Sequence, residues 1–94
     1  MQKLLINLKI DQPLTPADLS KINITVDCPS IIAITGRGPI WLYAYLTHMA
    51  HVAVALYVFD PRLGYVCVAT HNPDHKVGDV LTDFVPDKTI DITF

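Results

Sequence analysis

The sequence predicts a small single-domain α/β protein, residues 1–94, built on a mixed β-sheet of about five strands with one long and one short helix, and dimeric. Three observations predict it. From Ile31 to His71 the chain runs apolar strand, glycine-rich turn, helix-length stretch and second apolar strand, the order of a unit that crosses between parallel neighbours. Two further runs, near either end of the chain, alternate apolar and polar residues as strands do. The hydrophobic fraction is 51% against 17% charged, more apolar material than a 94-residue chain easily hides, so self-association is expected.

In chain order, Lys3 to Ile10 sets Leu4, Ile6, Leu8 and Ile10 against Lys3, Leu5, Asn7 and Lys9, which predicts a strand with one buried face. Thr15-Pro16-Ala17-Asp18 offers a cap, a proline at the first helical position and an acidic residue in the first turn, so Pro16 to Ile22 reads as a short helix. Asn23 to Pro29 is a connector with a short extended piece at Ile24 to Val26. Ser30 to Thr35 reads as a buried strand, and Gly36-Arg37-Gly38 leads into a helix from Pro39, at its first helical position, to His51. Val52 to Phe59 is the next strand. Asp60-Pro61-Arg62-Leu63-Gly64 makes a connection tight enough for an antiparallel return along Gly64 to Thr70. His71 to Val80 is polar and turn-rich, and Lys88 to Phe94 alternates Ile90, Ile92 and Phe94 as a final strand.

No charged residue lies between Pro39 and His51. On a helical wheel Leu42, Tyr45, Leu46 and Met49 form one stripe, with Trp41, Ala44, His48 and His51 roughly 130° away. The first stripe is expected on the sheet and the second against another subunit; burial by the rest of the same chain is the alternative. No leader segment or membrane-length apolar run is present, and Cys28 and Cys67 lack metal-ligand or redox spacing, which predicts a cytoplasmic protein with free thiols. A net charge of −2 argues against coating long duplex nucleic acid, but leaves room for a small anionic ligand met by a few placed cations.

The only two arginines, Arg37 and Arg62, stand in the two turns. Gly36-Arg37-Gly38 at a helix start suits an anion, because free N–H groups and the helix dipole both favour phosphate there. It suits equally a tight turn with a surface arginine. Asp60-Pro61-Arg62 reads either as a catalytic pair or as a self-contained turn with an ion pair. His48 and His51, three residues apart, are spaced to hold a metal or to serve an interface. His71 and His75 are weaker signals.

Taken together, Thr35-Gly36-Arg37-Gly38-Pro39-Ile40-Trp41-Leu42-Tyr43, the helical histidines, Asp60-Pro61-Arg62-Leu63-Gly64 and the strand ending at His71 closely resemble the CRISPR-associated ring nuclease three family of type III systems, over residues 31 to 81. The resemblance implies a manganese-dependent enzyme that cleaves cyclic tetra-adenylate to linear di-adenylates and so switches off antiviral signalling. It also implies a dimeric α/β fold in which two dimers stack around one ring; because the chain ends soon after its last strand, a partner domain fused elsewhere in the family is expected to be absent. The family's functional histidine, aspartate and arginine fall on His51, Asp60 and Arg62, and His48 and His71 also match family histidines; phosphodiester chemistry would place the metal on Asp60 with an imidazole from His51, with His48 and His71 as further candidate ligands.

Spacing makes that assembly intelligible. Eight extended residues between the helix-end histidines and Asp60 place them roughly 25 Å apart. One edge of the sheet would carry Gly36, Arg37, Gly38, Asp60 and Arg62, the other His48, His51 and His71. A head-to-tail stack brings the edges together across a bound ring. The chain has no glutamate, so aspartate is its only carboxylate ligand. Arg62 would offer paired donors to the phosphoryl oxygens, while Arg37 and its neighbouring N–H groups grip a second phosphate. Two other classes fit the same residues: a cyclic-nucleotide sensor that does not cut, and a manganese-dependent exoribonuclease acting on linear poly-adenylate RNA.

Overall fold

A computed structural model describes residues 1–24 and 29–93. In order these form β1 (Gln2–Lys9), a 3-10 helix (Pro16–Lys21), β2 (Ser30–Thr35), α1 (Ile40–Met49), β3 (Ala55–Asp60), β4 (Gly64–Thr70), β5 (Val80–Leu81) and β6 (Lys88–Thr93). The described strands make one sheet in the order β5-β4-β3-β2-β1-β6. β1 pairs parallel with both β2 and β6, β2 parallel with β3, and β4 returns antiparallel to β3. The mixed α/β architecture is therefore the one expected. Cys28, the end of the extended piece at Ile24 to Val26, and Phe94 lie outside the described residues.

The helical face of the sheet follows from the alternation in β1. Leu4, Ile6 and Leu8 are buried there beside Ile32, Ile34 and Leu56, and α1 closes over them with Leu42 and Leu46. Tyr45 and Met49 pack half-buried on the same core, as the wheel predicts. Trp41 does so too, so it leaves the outward stripe assigned to it and only Ala44, His48 and His51 stay exposed. On the opposite face Ile31, Ala33, Ala55, Tyr57 and Cys67 are covered by Phe84, Leu81 and Tyr65. β2 is buried on both faces, which is why its sequence runs apolar without alternating.

Several elements differ from expectation, each for a local reason. Pro39 is the residue before α1, extended at φ −65° and ψ 153°, and its carbonyl accepts from the Leu42 and Tyr43 N–H groups. The helix ends at Met49 with Ala50 as its cap, so His51 stands just beyond it, and β3 begins at Ala55 after a turn. The short helix is 3-10 in form; Asp18 accepts the Thr15 N–H at 2.8 Å, a bond that with the neighbouring Lys21 holds its carboxyl below the usual carboxylate range. β5 is a sixth strand inside the segment read as turns. It forms because Gly64, at φ +112°, lets the chain pass: a Cβ there would stand 2.6 Å from the Leu81 carbonyl oxygen.

His75 also has a part that its position in the sequence conceals. Its Nδ1 lies 2.6 Å from the Tyr57 hydroxyl, which donates to it when the imidazole proton is on Nε2, and so the 71–80 segment is fastened beneath the sheet. Asp79 and Gly78 continue that fastening, with the Cys67 N–H donating to the Asp79 carbonyl and the Gly78 N–H to the Cys67 carbonyl. Burial raises the Tyr57 hydroxyl, the Cys67 thiol and the Tyr43 hydroxyl above their ordinary pKa values.

Two outcomes follow for stability. Leu46→Ala, at a site 1% exposed between helix and sheet, is expected to cost about 2–5 kcal/mol in urea unfolding. All three raised groups are acids whose neutral form the fold prefers. Their contribution is intact below their unfolded-state values and is lost as pH rises through the higher folded ones. Denaturation midpoints should therefore hold from about pH 7 to 8.5 and fall above about pH 9 to 10, and Tyr57→Phe should flatten that fall.

Candidate functional site

Parallel pairing sets the geometry of the site. The turns that follow β2 and β3 leave from the same rim of the sheet, because those strands run side by side in one direction. The chain end of α1, the start of β3 and the end of β4 lie at the opposite rim. Gly36, Arg37, Gly38, Asp60 and Arg62 thus share one rim, while His48, His51 and His71 share the other. β3 holds six residues, so about 17 Å of extended chain separates the rims, less than the longer strand expected.

At the first rim, the Asp60 turn is self-contained. Asp60 Oδ1 accepts the backbone N–H groups of Arg62 at 2.7 Å and Leu63 at 3.1 Å, and the Leu63 N–H also reaches the Asp60 carbonyl at 3.2 Å. Arg62 Nε stands 3.8 Å from the same Oδ1, with the arginine side chain 88% exposed. An exposed pair at that distance contributes little to stability. Oδ1 is thus committed to backbone, and among the described residues Oδ2 makes no hydrogen bond.

The Gly36-Arg37-Gly38 turn is built by close approach. Gly36 adopts φ +121°, and a Cβ on it would lie 2.5 Å from the Leu8 carbonyl oxygen at the end of β1. On its other side the Tyr43 hydroxyl, one turn into α1, donates to the Gly36 carbonyl at 2.5 Å. Arg37 is exposed beyond the rim.

At the second rim His51 Nδ1 lies 2.8 Å from the His48 carbonyl oxygen. With the proton on Nδ1 this is a donated hydrogen bond, and Nε2 keeps its lone pair for a metal or a proton. The two imidazoles stack with centroids 5.7 Å apart and 22° between planes. His71 is exposed, anchored by its N–H to the Val54 carbonyl at 2.8 Å. Among the described residues no three histidine, cysteine or aspartate side chains gather into a metal-binding cluster. Within one chain the second-rim imidazoles and Asp60 stay apart.

An open groove of about 1030 Å³ joins the rims along α1 and the β3–β4 hairpin, with Asp60 toward one end and His48, His51 and His71 toward the other. Its walls are mostly apolar, including Ile40, Tyr43 and Ala44 of the helix and Val58, Phe59 and Val68 of the hairpin. Val68 is an extra residue in β4: Tyr57 pairs with Cys67 and Leu56 with Ala69, leaving Val68 unopposed in a bulge. Neither the groove nor the Tyr43 contact is visible in the linear spacing. The one signal is an aromatic hydroxyl in the first turns of a helix that follows a glycine turn.

Comparison with known proteins places this sequence in a family. Residues 7–82 match the family model described as CRISPR-associated protein, Cas_csx3. A protein of Aquifex aeolicus (strain VF5), described as uncharacterized, is 45% identical over 83 residues, a match that takes in 82% of this chain and 75% of that one. Both turns, α1 and the β3–β4 hairpin lie inside the matched segment. On the breadth of that match, the chain belongs to the CRISPR-associated Cas_csx3 family.

Proposed function

We propose that this protein is a manganese-dependent phosphodiesterase that opens cyclic tetra-adenylate to linear di-adenylates and thereby ends type III CRISPR signalling. The observation that carries the reading is the separation of Asp60, Arg62 and Arg37 on one rim from His48, His51 and His71 on the other. Each protomer presents two complementary halves of a site. A head-to-tail stack of dimers sets one copy's first rim against another's second rim, with the ring between them.

The donor set fits a hard divalent ion that tolerates imidazole: Oδ2 of Asp60 from one copy and Nε2 of His51 from another. When bound, manganese polarises the phosphoryl oxygens and favours an ionised nucleophile. The chain's own residues do the rest. The Arg62 and Leu63 N–H groups hold Asp60 so that Oδ2 faces outward. Arg62, tethered beside it, offers parallel N–H donors to the phosphoryl oxygens as charge develops. The His48 carbonyl orients the His51 ring, and Arg37 with the turn's backbone grips a phosphate that is not cut. The uncharged outer side of α1 provides the surface for dimerisation.

Purified protein incubated with cyclic tetra-adenylate should yield linear di-adenylates with manganese and none with chelator; a bound but uncut ring would mark a sensor instead, and faster trimming of linear poly-adenylate an exoribonuclease. Loss of a partner that merely orients a metal ligand typically costs about 10- to 100-fold, so Asp60→Asn should lower turnover by at least about 100-fold with ring binding little changed. Unchanged turnover would remove Asp60 from the mechanism. His51→Ala and Asp60→Asn chains, each inactive, should recover about a quarter of wild-type activity when mixed equally, the chance that an intact Asp60 faces an intact His51. No recovery at any ratio would refute a site shared between copies.

A further inference from the structure

We propose that Tyr43 is a positioning residue for ring binding, which fixes the Gly36 peptide so that the Arg37 N–H and side chain face the ligand at the first rim. This rests on the ring-nuclease reading and adds to it a residue on neither rim. The hydroxyl of Tyr43 donates to the Gly36 carbonyl. In a trans peptide the carbonyl and the following N–H point in opposite directions, and the described chain has no cis peptide bond. Drawing the Gly36 carbonyl toward α1 therefore turns the Arg37 N–H away from the helix. Among the described residues that N–H makes no hydrogen bond.

The hold has two sides. Leu8 closes on Gly36 from the end of β1, near enough to exclude a Cβ, while Tyr43 secures the carbonyl from α1. Gly36 alone, at φ +121°, has the freedom of a glycine, so without the Tyr43 bond the peptide plane can rotate and spread the Arg37 donors over many directions. The Tyr43 ring packs half-buried on the core beside α1, so removing only the oxygen leaves the packing in place. A group that pre-orients donors contributes to binding by reducing what the ligand must order.

Tyr43→Phe tests this. The dissociation constant for cyclic tetra-adenylate, and KM with it, should rise about three- to tenfold, the range for one lost hydrogen bond, while kcat at saturating ring stays within about twofold. The penalty should shrink in an Arg37→Ala background, because the donors that Tyr43 aims are partly gone; a residue that only stabilises the fold carries the same penalty in both backgrounds. Wild-type affinity in Tyr43→Phe, or an equal penalty with and without Arg37, overturns the inference. A wild-type protein that does not bind the ring overturns the ring-nuclease reading and this inference together, whereas intact wild-type binding with an unaffected Tyr43→Phe protein overturns this inference alone.

Discussion

Parallel pairing of β2 with β3, spanned by one uncharged helix, is the constraint on which the site depends. A helix that returns the chain to the start of a parallel strand must leave its own C-terminus at the rim opposite the turn it began from. His48 and His51 end that helix, Gly36-Arg37-Gly38 precedes it, and Asp60 ends the strand that follows. No side-chain rotamer brings these groups together across about 17 Å of extended chain. The antiparallel return of β4 completes the division by carrying His71 back to the histidine rim.

Around that frame, small residues and hydrogen bonds fix what each rim presents. Gly36 and Gly64 occur where backbone from another strand passes too close for a side chain, and each leaves its φ in the region only glycine adopts readily. Asp60 spends one carboxylate oxygen on its own turn and keeps the other outward. His51 does the same with its two ring nitrogens, Nδ1 meeting the His48 carbonyl. In both cases a local bond ties down one polar atom of the side chain and leaves the other uncommitted.

Much of this was legible along the chain. The alternation in Lys3 to Ile10 foretold which side chains of β1 would be buried, and the proline-glycine punctuation located both turns. Other features were hidden because they join residues far apart in sequence. β5 has two residues and no pattern of its own; it exists because Gly64 admits Leu81 beside it. The Tyr57–His75 bond spans eighteen positions and makes a structural fastening of a histidine that reads as isolated. Trp41 shares a helical stripe with exposed residues, yet tertiary packing draws it onto the core.

What the sequence determined by itself was the order and type of the main elements, and the assignment of the arginine, aspartate and histidine side chains of the candidate site to turns and helix ends. These follow from local rules: side-chain period, proline and glycine geometry, and the reach of an extended strand. Tertiary structure alone decided that the hairpin and α1 enclose an apolar groove running from rim to rim, that Tyr43 holds the Gly36 carbonyl, and that His51 stands just past the helix with one nitrogen tied down. Each depends on where separate segments meet in space, which strand order and side-chain packing settle and linear spacing does not encode.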